Sequence, residues 1–171
     1  MELVVLGVVW KRGPCTGYAV AREFVTSPSS HFSGSAGAVY PAVRRLARDG
    51  YLAGAAGRQG RRRRRTYTIT RRGRDALRRW LSPPIPADAA RITYDPIRTR
   101  AYFLAALPPK RRAAFLADAE RQLRRQIPAI EAECERYREA GDEFSALAMS
   151  GGLHVIRARL EWVAEMRQRL R

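Results

Sequence analysis

Six arginines lie within eight residues of this chain, Arg58 and the unbroken run Arg61, Arg62, Arg63, Arg64 and Arg65. Adjacent guanidinium groups repel one another, so such a run is tolerated where it projects into water or meets phosphates. It can clamp a nucleic-acid backbone, and one or two members can enter a narrow A/T-rich minor groove, where negative potential is enhanced. A solvated basic loop is the plainer alternative, and the preceding residues weigh against it. Ser35 is a good N-cap, and Val39, Val43 and Leu46 recur at spacings of four and three, the inward stripe of a helix. The opposite face of that helix carries Arg44, Arg45 and Arg48, while Ala36, Gly37 and Ala38 leave its first turn without bulk. Free N–H groups and a smooth surface there can approach DNA closely.

Other chemistry finds little support. Cys15 and Cys134 stand one in each half, and His31 and His154 have no neighbouring ligands, so neither a disulfide framework nor a metal site is expected. The cysteines read as small buried hydrophobes. Asp49 and Asp75 are isolated near helix ends, Glu23 has no proton-transfer partner, and no Ser/His/Asp arrangement is forced by spacing. No enzyme and no cofactor is expected. The charge points elsewhere: 33 Lys and Arg against 16 Asp and Glu give the 171 residues a formal net charge of +17. Residues 1–82 carry 17 basic and 4 acidic side chains, and residues 83–171 carry 16 and 12, so a polyanion should meet the first half. The apolar run Leu3 to Trp10 is too short to span a bilayer and lacks the pattern of an export signal. A cytoplasmic, nucleoid-associated protein with no membrane partner is the expectation.

The elements that must hold these arginines can be read in order. Leu3 to Trp10 predicts a first helix that ends before Gly13-Pro14. Thr16 can cap a second, covered by Tyr18, Val20, Ala21, Phe24 and Val25 and stopped near Ser27 to Ser30. With the third helix after Ser35 this has the length of a helix-turn-helix. Tyr51 to Ala56 predicts a strand, Gly57 to Gly60 a turn, and Arg61 to Ile69 a returning strand, making a hairpin or wing. Thr70 caps a fourth helix, Arg71 to Leu81, with Ala76, Leu77 and Trp80 packing inward. The fold class is mainly α with a small β-hairpin, a winged helix-turn-helix over residues 1–82.

Pro83, Pro84 and Pro86 make Ser82 to Ala87 a stiff connector, and residues 83–171 are read as a helical arm for dimerisation and effector coupling. Tyr94 to Ala106 predicts one helix, buried through Ile97, Ala101, Leu104 and Ala105. From Lys110 to Ala140 an apolar stripe holds Leu116, Ala119, Leu123, Ile127, Ile130, Cys134 and Tyr137, with Pro128 expected to bend the helix. The last helix, Glu143 to Leu170, repeats the pattern with Met149, Leu153, Ile156, Leu160 and Val163. A helix this long has too little protein of its own to lie against, so its stripe implies a partner. Two hairpins around a dyad supply one, with Leu116, Leu123, Ile127, Ile130, Leu153, Ile156, Leu160 and Val163 as the dimerisation residues. A hairpin closed on itself within one chain is the other way to cover them.

The assembled segments resemble the PadR-like family of bacterial transcriptional regulators, specifically members with a long C-terminal helical domain. "LVVLGVVWKRGPCTGYAV" is similar to that family's first helix, and "SAGAVYPAVRRLARDGYL" to its recognition segment, with Ser35, Gly37, Tyr40, Pro41, Leu46, Gly50 and Leu52 at matching places. "RRRRRTYTITRRGRDAL" resembles the second wing strand and following helix, through Tyr67, Thr70, Gly73 and Leu77. These cover about residues 3 to 80, and "DPIRTRAYFLAALP" and "LEWVAEMRQRL" carry a weaker likeness over the arm. The resemblance implies a homodimeric repressor of double-stranded DNA, with Tyr40 fixing the recognition helix and the wing touching the minor groove. It also implies a small aromatic or hydrophobic effector, for which Trp10, Tyr94, Tyr102, Phe103 and Trp162 are candidate contacts, although core packing is the commoner use of such residues. Ala38 stands where relatives carry a small hydroxyl residue, which leaves more of the contact to the arginines. An architectural nucleoid protein with slight duplex preference is the alternative.

Overall fold

The computed structural model describes residues 1–26, 36–59, 62–91 and 94–170, and the chain divides into two compact units, Met1–Ala90 and Arg91–Arg171. The proline-rich segment expected to separate them is grouped with the first. Ser82 continues α4 by donating from both N–H and Oγ to the Arg78 carbonyl, and Ala87–Ala90 adds a 3-10 turn.

In the first unit α1 (Glu2–Arg12), α2 (Gly17–Thr26) and α3 (Ala36–Arg48) pack around Val5, Leu6, Val9, Val20, Phe24 and Val43, with Val39 and Leu46 buried as their spacing requires. Full burial of side chains of this kind is worth about 1.5–3 kcal/mol each. Two expected members of the α2 cover, Tyr18 and Val25, are exposed. Val20, Ala21 and Phe24 already fill the inward stripe, which is too narrow to take them.

The sheet has three strands where a two-stranded hairpin was expected. Beside β2 (Leu52–Gln59) and β3 (Arg62–Ile69) lies β1 (Cys15–Thr16), in the order β1-β3-β2 and antiparallel throughout. Cys15 pairs with Tyr67 and Thr16 with Thr66, so two residues too short to show a strand pattern tie the start of α2 to the wing. Thr16 is still the cap expected of it, its Oγ1 accepting from the Ala19 N–H at 3.2 Å. β2 runs three residues past Ala56, because Gly57, Arg58 and Gln59 pair with Arg64, Arg63 and Arg62 and so satisfy their backbone groups in the ladder.

Helix α4 (Arg71–Leu81) closes the unit. Leu77 is buried and Ala76 packs on the core, but Trp80, expected to pack inward, is half exposed near the helix end.

The second unit begins with α5 (Pro96–Ala101), capped by Asp95, whose Oδ1 accepts from the N–H groups of Ile97 and Arg98. The single helix expected over Tyr94 to Ala106 is broken here, and Leu104–Ala106 forms a separate 3-10 turn that buries Leu104 but leaves Ala105 exposed. Arg112 holds that turn by donating to the carbonyls of Leu104, Ala105 and Leu107. Helices α6 (Pro109–Glu139) and α7 (Glu143–Arg169) then pack along each other, joined at Gly141, whose φ of 69° suits glycine. α6 is continuous through Pro128.

Candidate nucleic-acid interface

The two cationic elements are positioned by glycine and threonine contacts. Tyr40 lies over the backbone of Gly17, where an added Cβ would stand 3.4 Å from the ring, so the outer side of α3 rests on the first turn of α2. At the other end of α3, Gly50 takes φ of 75° and the Tyr51 N–H donates to the Leu46 carbonyl at 2.8 Å, a Schellman stop that turns the chain into β2. Thr70 joins wing to helix: its Oγ1 donates to the carbonyls of Gly50 and Tyr51 and accepts from the Gly73 N–H. Gly73 has no room for a side chain, since a Cβ there would sit 2.3 Å from the Tyr51 carbonyl oxygen. The Arg72 guanidinium lies 4.6 Å from the centre of the Tyr51 ring, on the same junction.

On this frame the expected contact residues separate into distinct roles. Gly37 and Ala38 are exposed at the start of α3, with Ala36 the first residue of the helix. Arg44 is exposed and has no ion pair among the described residues, which leaves its donors for an incoming anion. Arg45 instead donates to Glu2 Oε1 at 2.7 Å, tying α3 to α1. Arg48 pairs with Asp49, and that hydrogen bond holds the Asp49 carboxyl below its ordinary range. Ser35 and Arg61 lie outside the described residues.

The wing register sets Arg58 opposite Arg63 and Gln59 opposite Arg62. Like charges at facing positions destabilise a hairpin unless something neutralises them. Arg65 behaves differently. Its Nε lies 2.7 Å from where a Cβ of Gly54 would be, and its guanidinium is 5.9 Å from the Tyr67 ring, so it is folded across the sheet rather than carried at the tip. Arg64 is exposed on the other face of β3. Sequence reasoning missed this division, and the signal for it was Gly54 opposite Tyr67, a gap in the sheet surface wide enough for a long side chain.

The arm residues named for dimerisation are placed otherwise than the sequence reading had them. Leu116, Leu123 and Ile130 of α6 and Leu153, Ile156 and Val163 of α7 are buried in one cluster inside the chain, with Ile127 and Leu160 packed against it. The premise that α6 lacks cover of its own does not hold, because α7 supplies it. Of the candidate effector contacts, Trp162 packs on that cluster, whereas Trp10, Tyr94, Tyr102 and Phe103 are exposed and so are not core. The Cys15 thiol is pushed up by burial, in keeping with its place in the core. Among the described residues no group of His, Cys, Asp or Glu is arranged to hold a metal ion, and no helix is long and apolar enough to cross a membrane.

Comparison with known proteins agrees with this arrangement. No curated protein sequence matches the chain. Its fold is similar to that of Bacillus subtilis PadR in complex with operator DNA, with a TM-score of 0.86 at 19% identity over 99% of this chain and 98% of that one. Bacillus subtilis PadR in complex with p-coumaric acid superposes with a TM-score of 0.79 at 18% identity, covering 99% and 94%. The PadR-like transcriptional regulator BC1756 from Bacillus cereus gives 0.78 at 20% identity, covering 99% and 96%. Residues 5–79 match the transcriptional regulator PadR-like family, the span of the first unit from α1 to α4.

Proposed function

We propose that this chain is a PadR-like transcriptional regulator, acting as a homodimer that reads a two-part palindromic operator in duplex DNA and represses transcription from it. In this reading α3 enters the major groove, with Gly37 and Ala38 against the backbone and Arg44 toward base edges, while Arg58 and Arg61 to Arg65 engage the minor groove and its phosphates. The observation that carries it is the β2–β3 register, which sets Arg58 opposite Arg63 in the outer half of a hairpin whose returning strand also carries Arg62, Arg64 and Arg65. Such an array is favourable against a polyanion and costly without one. One short head contacts few base pairs, and two heads held about 34 Å apart turn the second contact into a linked event. The residues from Arg91 onward serve as the arm that sets this spacing, and the protein works in the cytoplasm, associated with the nucleoid, as a binding protein rather than an enzyme.

A small aromatic effector that shifts the arm would change DNA affinity without touching the heads. Exposed Tyr94, Tyr102 and Phe103 support that reading, as does the p-coumaric acid held by a protein of the same fold.

The test is affinity for a selected palindrome against a scrambled duplex of equal length at physiological salt. A specificity ratio of roughly a thousandfold or more is expected. A ratio near one would put an architectural protein in its place. Arg44→Ala should relax sequence preference. Arg64→Ala should weaken binding to all sequences and lower the slope of log K on log salt by about one.

A further inference from the structure

Helix α4 carries a second cationic surface, separate from α3 and the wing. Five of its 11 residues are arginines, Arg71, Arg72, Arg74, Arg78 and Arg79, against one acid, Asp75. Gly73 and Leu77 are buried, and at 100° per residue Arg71 and Arg78 stand on the opposite side of the helix, flanked by Arg74 and Arg79. All four are exposed. The chain does little to neutralise them. Arg71 and Arg79 have no hydrogen bond or ion pair among the described residues. Arg74 spends one donor on the Ile69 carbonyl, and Arg78 meets Asp75 only at 3.5 Å. The rest of the chain is no acidic counterpart, since residues 83–171 carry 16 basic and 12 acidic side chains.

This face is turned away from the duplex that α3 and the wing hold. Glu2 of α1 reaches Arg45 of α3, whereas Gly7 of α1 lies under Leu77 of α4. Five residues along a helix place these two contacts about 140° apart, so α3 and α4 lie on different sides of α1. The wing separates them further. Helix α4 starts at the base of β3, and the eight residues of that strand set its start about 24 Å from the outer end. The chemistry of the face is that of a phosphate reader. Arg71 and Arg78 are about 10 Å apart along the helix axis, close to three 3.4 Å steps of a DNA strand with one charge at each. Arginine forks take phosphate oxygens in pairs.

We infer that the outward face of α4 binds the phosphates of a second DNA duplex, so that the protein bridges an operator held on α3 and the wing to a separate DNA segment. The inference rests on the reading of α3 and the wing as the operator face, and adds to it a surface with no need of sequence.

A bridging assay on the full-length chain decides it. The protein saturates an immobilised duplex carrying the selected palindrome, and capture of a labelled scrambled duplex of equal length is then measured against salt. The wild-type chain should capture it. Arg71→Ala, Arg78→Ala and Arg79→Ala combined should lower capture by roughly tenfold or more at physiological salt and flatten its slope of log K on log salt by about three. Affinity for the immobilised palindrome should stay within about twofold, and helical circular dichroism should be unchanged, since alanine suits a helix. A wild-type chain that captures no second duplex, or a triple variant that captures it equally well, would overturn the surface and leave the operator reading standing. A parallel loss of palindrome affinity would overturn it too, by making α4 part of the operator face. A wild-type chain that prefers no palindrome would sink the operator reading, and capture still lost with the α4 arginines would uphold the surface alone.

Discussion

The two units spend their charged residues in opposite ways. In the arm, arginines are matched close at hand: Arg124 and Arg167 with Glu120, Arg136 with Glu133, Arg138 with Glu135, Arg157 with Glu131, and Arg159 with Asp95. The first unit has 17 basic side chains for 5 acidic ones, so local pairing cannot neutralise it. Glu23 pairs with Arg12, Glu2 with Arg45, Asp49 with Arg48 and Asp75 with Arg78, and the unit remains strongly cationic. Exposed apolar side chains occur in both units, Trp10, Tyr18 and Val25 in the first and Phe144, Leu147 and Val155 in the arm. Each unit has its own apolar core.

The largest expected effect tests whether those cores are independent. Gly73→Ala forces a Cβ against the Tyr51 carbonyl oxygen and Ile69 Cγ1, both closer than 3 Å, where α4 packs on the base of the wing. A loss of about 3 kcal/mol or more from the first unit is expected, comparable to other severe steric substitutions. Leu116→Ala removes a nearly fully buried side chain from the α6–α7 cluster and should cost the arm about 2–5 kcal/mol. Hydrogen exchange read unit by unit separates the two: each substitution should raise exchange in its own unit alone. Equal loss of protection in both units after either change would show one cooperative body, and the comparison would fail.

How much of this was readable beforehand follows from the range of the interactions. The α3 stripe, the Thr70 cap and the limits of α4 depend on spacings of three and four, and the sequence carries them openly. β1 does not show, because two residues have no period and their pairing with Tyr67 and Thr66 spans some fifty positions. The break between α5 and Leu104–Ala106 has no Pro or Gly to announce it, and is held by Arg112 reaching back from α6. The arm was misread for another reason. A stripe says that a helix is covered but not by what, and here α7 of the same chain supplies the cover. At the interface, the cationic residues were legible as types, but the separate tasks of Arg44, Arg45 and Arg65 were not, since each depends on a distant neighbour in Glu2 or Gly54.

A smaller effect sharpens the contrast within the wing. Gly54→Ala places its Cβ on the Arg65 guanidinium, the far end of a flexible side chain, so the sheet should lose less than about 1 kcal/mol. Arg65 must then leave the Tyr67 face. If Arg65 meets DNA from its folded position, Gly54→Ala should lower affinity by several-fold, roughly the 1 kcal/mol scale of one positioned contact, and Arg65→Ala should add little to it. Additive losses in a double-mutant cycle would show that the two residues act separately.

The smallest effect concerns acid. In the arm, the Glu120 carboxyl is held below its ordinary range, first by hydrogen bonds from Arg124 and Arg167. Asp49 in the first unit is lowered too, chiefly by Arg48. The partners differ in reach, since Arg48 is adjacent in the chain and stays near Asp49 when the unit unfolds, whereas Arg167 meets Glu120 only when α6 and α7 are packed. Only a shift that unfolding abolishes alters stability with pH. For a lowered carboxyl the stabilisation is present above the unfolded value, about 4.3 for glutamate, and is lost as pH falls through the folded one. Glu120→Gln should therefore flatten the decline of arm stability below about pH 4.5, while Asp49→Asn should leave the acid limb of the first unit nearly as it was. Asp49 is exposed and Glu120 only half-buried at the edge of the seam, so solvent screening keeps either change small, and chemical denaturation followed across that pH range with a reporter in each unit is the measurement. An acid limb in the arm that is insensitive to Glu120→Gln would mean that the α6–α7 seam is held by its apolar residues alone.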